Sequence, residues 1–376
     1  MENIKYIDKK MEKEKSLDKK KFLLELQSFG ARLDVPLEDR GRCGGAGPSD
    51  DKAFLLDGVP AMVPTLGEFA QESPYAVVRT DDGGYSVKNN GRTVMPVEFV
   101  STPKFYDLKT KDGIAYKEIA VLHGVDVLAT TVSQRCIRWR REGERCHFCA
   151  IENSLESGST VSLKTPDQLA EVAEAAVRLD GVKHMIMTIG TMNYSDMGIH
   201  YLVKCTRAIK KEVPNLSIQV QFEPPENLGD MKNLHEVGVD AVGIHLESFS
   251  QEIRERVTPG KAQISIGRYF EAFKYAVDIF GRNQVSTYII VGFGDTEESI
   301  VEGCRQIAEL GVYPFVVPLR PIMGTPMENV RAPDPKLMER IYLQVAKNNR
   351  EFELSYMKSK AGCARCGACS GIAAFE

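Results

Sequence analysis

The chain has no run of about eighteen apolar residues, so it lacks the signature of a membrane-spanning helix. Its net charge of −4 over 376 residues is small. That removes the electrostatic footprint expected of a nucleic-acid binder or of a protein held on an anionic bilayer. The first twenty-one residues, Met1 to Lys21, are rich in Lys and Glu and have no apolar centre, so they do not read as a signal peptide. The loop Gly41–Asp50 is glycine-rich, but no Gly-Lys-Ser/Thr follows it, which excludes a phosphate loop of that type. The cysteines number nine, an odd total that fits a secreted disulfide scaffold poorly. A reducing, cytoplasmic setting with metal-bound thiolates is the better expectation.

Six of those cysteines fall into two tight triplets. The first is Cys136, Cys146 and Cys149, with nine residues between the first two and His147-Phe148 between the last two. Three thiolates can hold three corners of a [4Fe–4S] cluster and leave one iron open. Zinc is the alternative, but it prefers four nearby ligands, and His147 is poorly placed to be the fourth. The second triplet, Cys363, Cys366 and Cys369, has the ferredoxin-like Cys-x-x-Cys-x-x-Cys spacing and lies in a tail of small residues. It predicts a second cluster, with a zinc knuckle as the rival. Its fourth ligand is left open between Cys43, Ser370 and a substrate atom. Cys205 and Cys304 sit in amphipathic helical patterns and read as buried structural thiols.

The chain between the triplets alternates strand and helix. Strands are expected at Val127–Val132, His184–Ile189, Ser217–Phe222, Ala241–His245, Gln284–Val291 and Pro314–Leu319, with helices between them and after the last. Six such repeats predict an α/β fold, a partial or complete TIM-type (β/α) barrel, whose chemistry belongs at the C-terminal strand ends. The first cysteine triplet directly follows the first strand. Short β-like runs from Ala53 to Phe99, separated by turn pairs such as Asp82-Gly83-Gly84, predict a small β-rich N-terminal module. The division expected is a charged leader over 1–20, the module over 21–125, the barrel over 126–352 and the cysteine tail over 353–376.

A cysteine loop after the first strand, with Phe148 before its last cysteine, resembles the radical S-adenosylmethionine superfamily. Pro318 to Pro326 resembles a segment of its biotin synthase-like branch. The resemblance implies a [4Fe–4S] cluster on Cys136, Cys146 and Cys149 that binds S-adenosylmethionine and generates a 5′-deoxyadenosyl radical. It implies cofactor contacts from Phe148, from Thr188 and Gly190 after the second strand, from Glu223 after the third, from Glu247, Arg254 and Arg256 after the fourth, from Gly292 after the fifth and from Arg320 after the sixth. With Gly44–Asp50, the wide first gap and the cysteine tail, the chain also resembles the radical proteins of two-component, archaeal-type lipoyl synthases and a related nitrilase-cluster protein. That resemblance implies sulfur insertion from an auxiliary cluster into an unactivated C–H bond of a protein-bound octanoyl chain. The partners it implies are a carrier protein bearing octanoyl-lysine, a second lipoyl synthase component and a low-potential donor such as ferredoxin or flavodoxin. The alternative is a radical enzyme acting on a small metabolite by rearrangement, lysis or dehydrogenation, with the tail cluster as relay or substrate anchor. The four arginines of the first cysteine loop, Arg138, Arg140, Arg141 and Arg145, suggest either a docking surface or a solvated loop.

Overall fold

The computed structural model describes residues 19–35 and 51–376. Most of the charged leader, the glycine-rich segment and Cys43 lie outside them. Two sheets build the molecule. The smaller contains β1 (Arg32–Leu33), β2 (Asp51–Leu56), β3 (Val59–Pro64), β4 (Tyr75–Arg79), β5 (Tyr85–Asn89) and β6 (Arg92–Phe99), in the order β1-β4-β5-β6-β2-β3. β3 is an edge strand the sequence did not announce. Pro60 and Pro64 break its apolar run, and proline is tolerated in a sheet only at such an edge.

The larger sheet contains β7 (Val121–His123), β8 (Val127–Thr131), β9 (His184–Thr188), β10 (Ser217–Phe222), β11 (Ala241–Ile244), β12 (Val285–Val291) and β13 (Val312–Pro318). β8 to β13 pair in parallel and in sequence order, and β7 adds antiparallel at the β8 edge. Near-continuous apolar runs such as Val-Tyr-Pro-Phe-Val-Val-Pro in β13 are buried throughout, as expected of strands covered on both faces. Helices close each repeat. Helix Pro166–Asp180 illustrates why they begin and end where they do. Thr165 and Gln168 form a reciprocal capping box, Pro166 takes the first turn, and Gly181 turns left-handed after the last. The sheet curls without pairing β13 to β7, so this is a partial TIM-type barrel. Cys205 and Cys304 are fully buried in helices Ile199–Glu212 and Glu297–Leu310.

The C-terminal tail lies across the opening and the lower end of this half-barrel. The Gly362 amide donates to Nδ1 of His184 on β9, and the Cys363 amide donates to Oε1 of Gln219 on β10. Ser370 donates to the Val316 carbonyl on β13, and the Cys369 thiol meets the His123 ring on β7. Gly362 adopts φ +96°, and a Cβ there would lie 2.1 Å from Cδ of Gln219. Only glycine lets the backbone come that close.

Candidate active site

One cavity of about 670 Å³ runs through the half-barrel. Cys136, Cys146 and Cys149 line it together with Cys363 and Cys369. The first group enters from the loop after β8. That loop is pinned to the end of β9, where the Gly190 amide donates to the Ser133 carbonyl at 2.9 Å and the Ile137 amide donates to the Thr191 carbonyl at 2.9 Å. A Cβ at Gly190 would sit 2.5 Å from the Arg135 carbonyl oxygen, so a larger residue would push the loop off the strand. Cys136 caps a single helical turn, Ile137–Arg140.

The middle of this loop carries a charge network. Arg138 grips Glu223 side-on, with Nε 3.0 Å from both carboxylate oxygens and a terminal nitrogen 2.8 Å from Oε2. The two side chains are only 3% and 7% exposed. Arg138 therefore belongs neither to a docking face nor to a solvated loop. Its neighbours are also engaged: Arg140 with Glu152 at 3.0 Å, Arg141 over Tyr194, and Arg145 over the Trp139 ring. Glu223 also accepts from the Thr191 hydroxyl. Burial works against its charge, but Lys261 and Arg138 hold its carboxyl below the ordinary value.

Beside it, Glu247 occupies a left-handed backbone conformation, φ +66°. Its amide donates to the Tyr288 carbonyl and its carbonyl accepts from the Ile290 amide, so β12 holds the turn in place. Such a conformation in a non-glycine residue is a store of strain characteristic of functional sites. Glu247 pairs with Lys261. Burial pushes the carboxyl up while Lys261 pulls it back, and the lysine, despite burial, is raised by Glu247, Tyr269 and Glu223. An ammonium and two carboxylates thus share the upper cavity with a guanidinium. Oε2 of Glu247 is buried with no hydrogen-bond partner among the described residues.

Of the residues singled out in the sequence, Phe148, Thr188, Gly190, Glu223, Glu247 and Arg320 line the cavity. Phe148 packs on Phe293 at 5.3 Å between ring centroids. Arg320 donates to the Met62 carbonyl of β3. Arg254, Arg256 and Gly292 do not line it. The Arg254 guanidinium is buried on the Lys261 carbonyl, Gln251 and the Tyr269 ring, Arg256 donates to the Phe293 carbonyl, and Gly292 packs on Leu319. Lys261, Arg138, His245, Tyr288 and His123 were not foreseen as site residues. Lys261 had the one readable signal, a Pro-Gly-Lys turn on the short helix Pro259–Ala262.

Whether the thiols suit iron–sulfur clusters is tested by what surrounds them. Burial and then the Cys136 thiol push Cys149 up to about 12, and burial, with the Cys363 thiol and Asp126 beside it, lifts Cys366 to about 12. Thiolates here need a cationic partner. Donors are already aimed at sulfur: the Tyr288 hydroxyl lies 3.2 Å and Nε2 of Gln221 3.1 Å from Sγ of Cys363. Among the described residues no three His, Cys, Asp or Glu side chains close on a single ion position. A [4Fe–4S] cluster takes each of three thiolates on a different iron, and Cys136, Cys146 and Cys149 all face one cavity. The residues fit.

Residues 140–307 match the family model of the Radical SAM superfamily. That stretch, a little under half of the chain, resembles a radical SAM domain. That family implies a [4Fe–4S] cluster and S-adenosylmethionine. A lipoyl synthase of Rubrobacter xylanophilus is 25% identical over 230 residues, covering 56% of this chain and 68% of that one. A lipoyl synthase of Thermus thermophilus is 27% identical over 173 residues, covering 44% of this chain and 50% of that one. The chain therefore spans two thirds of the first relative and half of the second. Among solved structures, methylornithine synthase superposes with a TM-score of 0.47 at 16% identity, over 67% of this chain and 72% of that one. That superposition is too loose to add to the topology described above. No helix among the described residues is long and apolar enough to cross a membrane.

Proposed function

We propose that this radical SAM protein inserts sulfur into an unactivated C–H bond of a protein-bound octanoyl chain, as one component of a two-protein lipoyl synthase. The observation that carries the reading is that all three thiols of the first triplet and two of the second, Cys363 and Cys369, line one cavity. When bound on Cys136, Cys146 and Cys149, a cluster with an open iron supplies the reductive cleavage of S-adenosylmethionine. The chain's own residues then do the positioning. Glu223, Glu247, Arg138 and Lys261 offer fixed charges of both signs to a zwitterionic amino-acid group. Phe148, Thr188, Gly190 and Arg320 wall the same space. Ala129, Ile186, Ile290 and Val317 line the cavity with apolar surface that suits an alkyl chain. The tail triplet, in this reading, holds a second [4Fe–4S] cluster that serves as the sulfur source. Relatives bearing the lipoyl synthase name at low identity support the substrate class.

The domain division proposed is the β-rich module, the half-barrel and the cysteine tail. The partners proposed are a carrier domain with octanoyl-lysine, a second lipoyl synthase component and ferredoxin or flavodoxin, in a reducing cytoplasm. The deciding experiment supplies the anaerobically reconstituted full chain with octanoyl-lysyl peptide, S-adenosylmethionine and dithionite. A peptide heavier by one inserted sulfur is expected by mass spectrometry. Deoxyadenosine formed with no thiolated peptide would sink the sulfur claim.

One observation favours the small-metabolite alternative. Nδ1 of His245 accepts from the Tyr288 amide at 3.2 Å, so the proton of a neutral ring sits on Nε2. That Nε2 is buried, with no partner among the described residues, and the ring lines the cavity. A polar substrate would use this donor. If it does, His245→Phe raises KM strongly for that substrate, whereas turnover of an octanoyl peptide is little changed.

A further inference from the structure

The tail triplet supplies three thiols, and a four-iron cluster has four corners. We propose that His123 is the fourth ligand of the cluster held by Cys363, Cys366 and Cys369. The inference rests on reading that triplet as a cluster site.

Placement is the first argument. His123 ends β7, and its Nε2 lies 3.2 Å from Sγ of Cys369. The next residue, Gly124, brings the hairpin backbone onto the neighbouring thiol, since a Cβ there would be 3.3 Å from Sγ of Cys366. The β7–β8 hairpin thus touches two of the three cysteines. His123, Gly124, Cys363 and Cys369 all line the same cavity.

Elimination is the second argument. The Ser370 hydroxyl donates to the Val316 carbonyl and accepts from the Ile372 amide, so both of its roles go to bracing the tail. Nδ1 of His184 accepts from the Gly362 amide, which commits that ring to the tail backbone. Gln221 and Tyr288 donate to Cys363. A donor to a ligating sulfur is not itself a ligand, and the Tyr288 ring is fixed edge-on between His245 and Phe315. The His123 ring has one hydrogen-bonding contact in the described structure, and that contact is a cluster thiol.

The chemistry follows from the ligand type. Imidazole binds iron without bringing a negative charge, and replacing thiolate by histidine raises the potential of an iron–sulfur centre. A neutral ligand is also easier to displace than a thiolate. The iron bound by His123 is then the corner at which a substrate atom can enter.

The test uses the full chain with Cys136, Cys146 and Cys149 all changed to Ala, so that the tail site alone binds iron. After anaerobic loading with iron and sulfide and reduction with dithionite, pulsed EPR should show a strong ¹⁴N coupling that changes to ¹⁵N when histidine is labelled. His123→Ala should abolish it. His123→Cys should abolish it too while keeping about four irons per chain, which answers the objection that the alanine variant has misfolded. A four-iron cluster with no nitrogen coupling, or a coupling that survives both His123 variants, overturns the assignment while leaving the second cluster intact. Absence of iron and sulfide in the triple variant overturns the assignment and the cluster reading together.

Discussion

Arg138 is the residue on which the upper cavity depends most. It is almost wholly buried and bound through two nitrogens to Glu223. Removing one partner of a buried pair leaves an uncompensated charge and costs about 3–5 kcal/mol. Arg138→Ala is therefore expected to lower the urea unfolding free energy by roughly that amount. Arg140→Ala, whose side chain is half exposed, should cost less than about 1 kcal/mol. Equal losses in the two variants would show that Glu223 is compensated by Lys261 alone. The sequence could not separate these arginines. They lie two residues apart in one loop, and what distinguishes them is Glu223, eighty-five residues away on the end of β10. Lys261 and His123 escaped notice for the same reason, because their partners are brought to them only by topology. Cysteine spacing is different: six of the nine cysteines stand in two short triplets, so the expectation that they act as groups needs no knowledge of topology.

At the scale of elements, the barrel strands were legible almost to the residue. Most of the parallel strands are compact apolar runs bounded by turn residues, and several long helices start at a side-chain cap, Thr165, Ser265, Thr296 and Asp334 among them. What stayed hidden is how neighbouring elements depart from regularity. β11 and β12 pair through only two residue pairs before the Tyr288 amide leaves the ladder for the His245 ring. The tail shows the same reliance on a side chain as a backbone partner. The His184 ring is buried and accepts from the Gly362 amide, and burial, then Arg365 and His123, push it down to about 3. At pH 5 the folded ring carries no added proton, whereas the unfolded one, with an ordinary value of about 6.5, does. Unfolding then takes up a proton, and stability falls as the pH drops through about 6.5. The cluster-free chain should lose about 2 kcal/mol between pH 7.5 and pH 5 from this residue. His184→Asn should remove about that much of the slope in urea titrations at the two pH values, leaving the part due to His123 and His245, which burial also pushes down, and an unchanged slope would assign the loss to those other groups.

For the molecule as a whole, the β-rich module serves as the clamp that holds the cysteine tail in the half-barrel. The Ala368 carbonyl, next to Cys369, accepts from the Met62 amide of β3 at 2.7 Å and from Nε2 of Gln27 at 3.1 Å. The Met62 carbonyl in turn accepts from Arg320 beside the cavity. One strand edge therefore ties together the module, the tail and the end of the barrel. Because β3 is an edge strand and the Met62 amide points away from β2, proline at that position removes the tail contact without breaking the small sheet. A hydrogen bond of this kind is worth about 1 kcal/mol net, so Met62→Pro should raise local opening of residues 363–372 about fivefold. Amide hydrogen exchange read by mass spectrometry checks this peptide by peptide. Exchange in β4 and β5 should stay as in the parent chain, and adding Gln27→Leu should loosen the tail further. If the tail exchanges no faster in the double variant, its contacts with His184, Gln219 and Val316 hold it unaided and the module is not a clamp.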